Sequence, residues 1–80
     1  MSVKDMIVKR FKDIMRERNM SINELANISG ITPSTVYSMM LDSRRDLSVI
    51  TVKRLCDGLD ITLGEFFSTE EFDKLEQEIK

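Results

Sequence analysis

The side chains best suited to contact another macromolecule lie between residues 33 and 45 of this 80-residue chain. Tyr37 and Ser38 follow Ser34 by three and four residues, so a helix would place all three on one face. Hydroxyl groups and an aromatic ring on such a face can contact base edges and phosphates. Arg44 and Arg45 come shortly afterwards and add two positive charges. These residues alone are equally compatible with nucleic-acid binding and with an ordinary solvated face.

The composition argues against catalysis. The chain has no histidine and a single cysteine, Cys56, which excludes an internal disulfide, the usual His/Cys zinc spacings and a Cys–His nucleophile pair. Cys56 lies in an apolar helical pattern, so we expect it to be a buried small hydrophobic residue. We therefore expect no enzyme activity, no metal, no cofactor and no small-molecule ligand.

The length and composition fit one globular domain. Hydrophobic residues make up 41% and charged residues 32% of the chain. No stretch approaches the ~20 apolar residues that span a bilayer, and no apolar segment follows a basic start. The sequence thus predicts a cytoplasmic protein without a membrane partner.

The candidate residues must be positioned by short helices. Ser21 and Thr62 are each followed three residues later by glutamate, which is the spacing of a capping box. Thr32 and Pro33 supply an N-cap and a proline at the first helical position, and Gly30 ends the preceding helix. No segment alternates as a half-buried strand does. Helices are predicted over residues 3–18, 22–29, 33–41, 48–59 and 63–67, followed by a helical segment from 69 to 79.

Residues 21–41 have the organisation of a helix-turn-helix: two short helices joined by a turn that holds a glycine. Ala26 is small enough to let the second helix cross the first closely. Gly30 can adopt a left-handed conformation at the turn without steric penalty. Val36 is a β-branched residue that fills the angle between the helices.

Three blocks in this order resemble the lambda-repressor-like Cro/CI, or Xre-type, helix-turn-helix family. They are Ser-Ile-Asn-Glu-Leu-Ala over residues 21–26, Gly-Ile-Thr-Pro-Ser-Thr-Val-Tyr over 30–37, and Leu-Asp-Ile-Thr-Leu-Gly-Glu-Phe-Phe over 59–67. The resemblance covers about residues 5–67. It implies an all-α, compact five-helix DNA-binding domain over residues 1–67, with its third helix in the major groove and usually as a dimer. Residues 68–80 would form a short acidic helical extension.

The candidate DNA contacts form two groups. The base-facing candidates lie on the third helix: Pro33, Ser34, Thr35, Tyr37 and Ser38. The phosphate candidates lie at two helix starts, in the loop that matches the family's basic loop, and on the fourth helix: Ser21, Asn23, Thr32, Arg44, Arg45 and Lys53. The third helix lacks the Gln, Arg, Asn or Lys that family members often carry, so its readout would depend more on DNA shape.

Apolar residues near the C-terminus are candidates for a dimer contact: Phe66, Phe67, Phe72, Leu75 and Ile79. They either complete the core of the monomer or form a two-fold contact. On the first helix we expect Arg10 in an internal salt bridge, whereas Lys9, Lys12, Arg16 and Arg18 are expected to be solvated.

Two hypotheses about function follow. The first is a transcriptional regulator that binds double-stranded DNA, most simply a small repressor-like homodimer. The second is a protein-interaction module, such as an antitoxin-like partner that retains the fold. The net charge of −2 is a weak objection to the first hypothesis. Residues 1–60 carry ten basic and eight acidic side chains, for +2, and residues 61–80 carry two and six, for −4.

Overall fold

The computed structural model describes residues 2–41, 46–77 and 79. Within these ranges the chain forms helices and no strand, which confirms the predicted all-α class. The helices are α1 (Val3–Glu17), α2 (Ile22–Ser29), α3 (Pro33–Met39), α4 (Val49–Gly58), α5 (Leu63–Phe67) and α6 (Glu70–Asp73). The last helix is shorter than predicted, because it ends at Asp73 instead of continuing to Ile79. None of the helices described is long and apolar enough to cross a membrane.

The helix starts are fixed by local hydrogen bonds. The predicted capping boxes are present: Glu24 N donates to Ser21 Oγ at 3.1 Å, and Glu65 N donates to Thr62 Oγ1 at 3.0 Å. In each box the glutamate also accepts a hydrogen bond from the N-cap backbone. A third box, between Ser2 and Asp5, opens α1. These bonds satisfy N–H groups that a helix start would otherwise leave without partners.

The core lies where α2 packs against α3 and α4. Its fully buried side chains include Leu25 on α2, Val36 on α3, and Leu55 and Cys56 on α4. Cys56 is thus buried, as predicted, and its burial raises the pKa of the thiol. The Cys56 side chain therefore stays protonated at neutral pH and acts as a small apolar group.

Phe66 belongs to the core of the monomer. Its side chain is fully buried, and its ring centroid lies 4.4 Å from that of Phe11. Phe67 and Phe72 pack against it and against each other, with their own centroids 4.9 Å apart. Of the two alternatives left open for Phe66, the structure therefore supports the monomer core, because α5 turns its side chain towards α1.

Three cations of α1 donate hydrogen bonds to backbone carbonyls near the C-terminal ends of other helices. Lys4 Nζ donates to the carbonyl of Leu41 after α3, at 2.5 Å, and Lys4 is buried. Arg10 Nε donates to the carbonyl of Phe66 in α5 at 3.1 Å, and Arg18 Nη1 donates to the carbonyl after α4 at 2.8 Å.

These contacts correct two expectations about α1. Arg10 was expected in a salt bridge, but it binds backbone carbonyls and lies 5.7 Å from the Phe66 ring centroid. Arg18 was expected to be only solvated, but it binds the end of α4. A helix C-terminus attracts a cation as a carboxylate does, because its last carbonyls carry partial negative charge.

We expect Gly58→Ala to destabilise the fold, because α4 passes very close to α2 at this residue. A Cβ atom here would lie 2.3 Å from Ser29 Oγ and 3.0 Å from the Ile28 carbonyl oxygen. The hydroxyl can rotate away, but the backbone must shift, at a cost of about 1–3 kcal/mol that exceeds the ~1 kcal/mol gained in helix propensity. Urea unfolding measures the change.

Gly64→Ala is the matched control, since its Cβ would meet only Thr62 Oγ1 at 3.8 Å. That variant should be as stable as the wild type or more stable. Adding Ser29→Ala to Gly58→Ala should restore part of the loss, because it removes the shortest contact. Equal stability of the two alanine variants would contradict the close packing described here.

We expect the free energy of unfolding to decrease as the pH is lowered, because the carboxylates of the capping boxes become protonated. Hydrogen bonds from Ser2 hold the pKa of Asp5 below its ordinary 3.8, and hydrogen bonds from Thr62 hold that of Glu65 below 4.5. A carboxyl with a lowered pKa in the folded state stabilises it above the unfolded pKa, and this contribution is lost as the pH falls through the folded pKa. Urea midpoints should therefore decline below about pH 4.5.

Glu65→Gln should make this decline shallower, since glutamine can still accept the hydrogen bond from Thr62 N without a titrating group. Glu76→Gln, which removes an exposed carboxylate outside the boxes, is the control. If the two variants keep the same pH profile, Glu65 does not contribute as described.

Candidate nucleic-acid interface

Helix α3 has one buried and one exposed face. Val36 and Met39 point into the core and are 0% and 6% exposed. Ser34 and Tyr37 point outwards, with Tyr37 56% exposed, and Ser38 is half-buried at the edge of this face. The structure thus brings Ser34, Tyr37 and Ser38 together on the side that points away from the core. We call the outward surface formed by these three residues the α3 face.

The start of α3 gathers three hydroxyl groups from the candidate residues. Thr32 Oγ1 accepts a hydrogen bond from Thr35 N at 3.3 Å and lies 2.8 Å from Thr35 Oγ1 and 3.1 Å from Ser34 Oγ. Pro33 follows the cap and is half-buried. Gly30 takes the left-handed conformation at the turn, with φ +69°. Thr32 therefore acts first as an N-cap, and the neighbouring hydroxyls of Ser34 and Thr35 are exposed beside it.

The start of α2 already holds a negative charge. Ser21 Oγ accepts from Glu24 N, and the Glu24 carboxylate accepts from Ser21 N at 3.1 Å. The carboxylate occupies a helix N-terminus that would otherwise attract a phosphate. Asn23 is exposed in the same turn. Of the two helix starts proposed for phosphate contact, α3 has no acidic residue in its first turn, whereas α2 has one.

Lys53 does not lie beside α3. Its ammonium group forms an ion pair with Asp57, one turn along α4. The two residues line a cleft towards α5 together with Asp60 and Thr62. Lys53 is therefore separated from the other candidate contacts and already has an acidic partner.

Arg54 was not among the residues predicted from the sequence, and it lines a different cleft from Lys53. It lines an open cleft with Thr32, Thr35 and Thr51. The available signal was the spacing of Thr51, Arg54 and Gly58, which places all three on one side of α4. Close packing of Gly58 against α2 identifies that side as the one turned towards α2 and α3.

A second open cleft connects α3 to the segment before α4. It is lined by Ser34, Thr35 and Ser38 on one side and by Asp46, Ser48 and Thr51 on the other. Arg44 and Arg45, the predicted phosphate contacts of the loop, lie outside the described residues. Asp46, the first described residue after them, lines this cleft.

The remaining candidates for a dimer contact differ in exposure. Phe67 is 36% and Ile79 is 86% exposed, whereas Leu75 and Phe72 are half-buried and Phe72 packs on the core. In contrast to Phe66, the side chains of Phe67 and Ile79 thus present apolar surface to the outside.

Two short helices joined by a left-handed glycine turn, with a polar face on the second helix, define the helix-turn-helix class. Residues 10–71 match the family model of the Cro/C1-type HTH DNA-binding domain, so the chain belongs to this family of DNA-binding domains. Comparisons with curated proteins and with solved structures gave no match.

We expect Lys4 to help fix the end of α3, and Lys4→Met tests this. Methionine has a similar length but cannot donate to the Leu41 carbonyl, so the variant leaves that carbonyl without its charged donor. The loss should be about 1–3 kcal/mol in urea unfolding. Lys12→Met, an exposed position on the same helix, should change stability by less than about 0.5 kcal/mol. Equal effects of the two substitutions would show that the buried contact adds nothing.

Proposed function

We propose that the protein is a sequence-specific transcriptional regulator, repressor-like, that inserts α3 into the major groove of double-stranded DNA in the cytoplasm. The observation that carries the proposal is the α3 face: Ser34, Tyr37 and Ser38 point outwards from a helix whose other side is anchored by the buried Val36. Membership of a DNA-binding domain family supplies the class of ligand.

The α3 face suits a groove more than a flat surface. An α-helix with its side chains is about 10–12 Å across, and the major groove is about 12 Å wide, so the seven-residue α3 can lie inside it. Hydroxyls of Ser34 and Ser38 can bond to several bases, and Leu41, which is 54% exposed just after α3, can contact a thymine methyl group. Each contact of this kind discriminates only weakly between bases, so part of the sequence specificity would come from DNA shape.

We further propose that the regulator acts as a homodimer. A net charge of −2 gives little non-specific attraction to DNA. Two linked α3 helices that read half-sites one helical turn apart would raise the affinity without new contacts on each protomer. The exposed Phe67, at the end of the proposed DNA-binding domain (residues 1–67), and Ile79, in the extension (residues 68–80), support a contact through this part of the chain.

A protein partner is the second candidate function, and one observation favours it. Val49 and Ile50, at the start of α4, are 72% and 67% exposed. A surface built only for DNA would place polar or basic groups there. An antitoxin-like or other interaction module would use these side chains as an apolar contact.

Selection of bound sequences from random duplex DNA tests the proposal. We expect an enriched site with two-fold symmetry, and an affinity that falls steeply as salt rises because bound phosphates release counterions. If micromolar protein at low salt retains no duplex from the pool, the regulator is excluded and the protein-partner function is favoured.

Substitutions on the α3 face should change which sequences are bound. Tyr37→Ala and Ser38→Ala should each alter the preferred base at particular positions and weaken the enriched site by about 1–3 kcal/mol, with little effect on unrelated DNA. Lys12→Ala, on the exposed surface of α1, is the control. Unchanged preferences in both α3 variants would show that this face does not read bases.

A further inference from the structure

We propose that Arg54 binds a phosphate of the DNA strand that borders the groove on the α4 side of α3. This inference rests on the proposed function and adds to it a residue that anchors the DNA backbone. It replaces Lys53 in that role.

The direction of the Arg54 side chain follows from the packing of α4. Arg54 shares one side of the helix with Thr51 and Gly58, and that side contacts α2 at Ser29. Arg54 therefore lies at the junction of α2, α3 and α4. In this position it lines one cleft with Thr32 and Thr35.

The cleft beside Arg54 continues into the α3 face. Thr35 and Thr51 line this cleft and also the neighbouring one that contains Ser34 and Ser38. A hydroxyl-lined surface thus runs from the α3 face to Arg54. When a helix lies in the major groove, the phosphates that flank the groove come closest to the elements beside that helix. Arg54 has the reach and position to meet one of them.

The charge of Arg54 is available for such a contact. Within the part of the chain that the structure describes, no carboxylate forms an ion pair with it, whereas the adjacent Lys53 is paired with Asp57. Among the described residues, binding a phosphate therefore breaks no ion pair of Arg54. The planar guanidinium matches two phosphate oxygens, and the neighbouring Thr51 hydroxyl can donate to the same group.

Arg54→Ala should weaken DNA binding in a sequence-independent way. We expect about tenfold lower affinity for the enriched duplex and for an unrelated one. In a plot of log affinity against log salt concentration, the slope should be about one unit shallower for each bound protomer. The matched control is Lys12→Ala, which removes the same charge from the exposed surface of α1, away from the proposed DNA and dimer contacts. It should change affinity less than twofold and leave the slope unaltered.

The outcomes separate this inference from the proposed function. If the wild type binds no duplex, the proposed function itself fails. If the wild type binds and Arg54→Ala equals Lys12→Ala in affinity and slope, only the role of Arg54 is overturned. Weakening confined to the enriched duplex would also overturn it, because Arg54 would then read a base. Circular dichroism checks the fold, and Arg54→Gln serves the same comparison if the alanine variant is unfolded.

Discussion

Helix α1 and its C-cap residue bind the C-terminal ends of three other helices, and the arrangement of the domain depends on these contacts. Lys4, Arg10 and Arg18 each donate to a carbonyl at or near the end of α3, α5 and α4 respectively. The last carbonyls of a helix lack intrahelical partners and carry partial negative charge. A cation therefore supplies the missing hydrogen bond and also neutralises part of that charge. A chain of this size has a small core, and its five- and seven-residue helices are not stable alone. The three contacts therefore set the directions of short helices that apolar packing alone would leave less defined.

The same contacts explain how a DNA-binding domain can have so little positive surface. Among the α1 cations, Lys9 and Arg16 also have partners, since both bind Asp13 and Lys9 also binds Glu71. Five of the six basic side chains of residues 1–18 thus have a partner within the molecule, and Lys12 is the exception among the described contacts. The net charge of the sequence does not show this, because it counts a cation that stabilises the fold in the same way as one that is free to bind a partner.

The sequence predicted the features that depend on neighbouring residues. The caps at Ser21 and Thr62 follow from spacing, because the groups that form them are three residues apart. It failed where the partner is distant in the chain. Phe66 has the pattern of a surface stripe until α1 is placed against it, and Lys53 and Arg54 are equivalent until Gly58 shows which side of α4 meets α2. The sequence thus predicted the helix that carries the candidate site, α3, but not which side chains of the other helices lie beside it.

The two ends of α3 receive different kinds of restraint, and together they suit a helix with few strong contacts of its own. Thr32 and the left-handed Gly30 fix the beginning, Val36 anchors the middle in the core, and Lys4 holds the carbonyl that follows the end. A side chain that is already positioned loses less conformational entropy on binding than one on a mobile segment. Hydroxyls that each form modest hydrogen bonds can then still contribute to affinity. Under the proposed function, restraint of the helix would thus partly substitute for the longer polar side chains that α3 lacks, and base readout would depend on the fixed positions of Ser34 and Ser38.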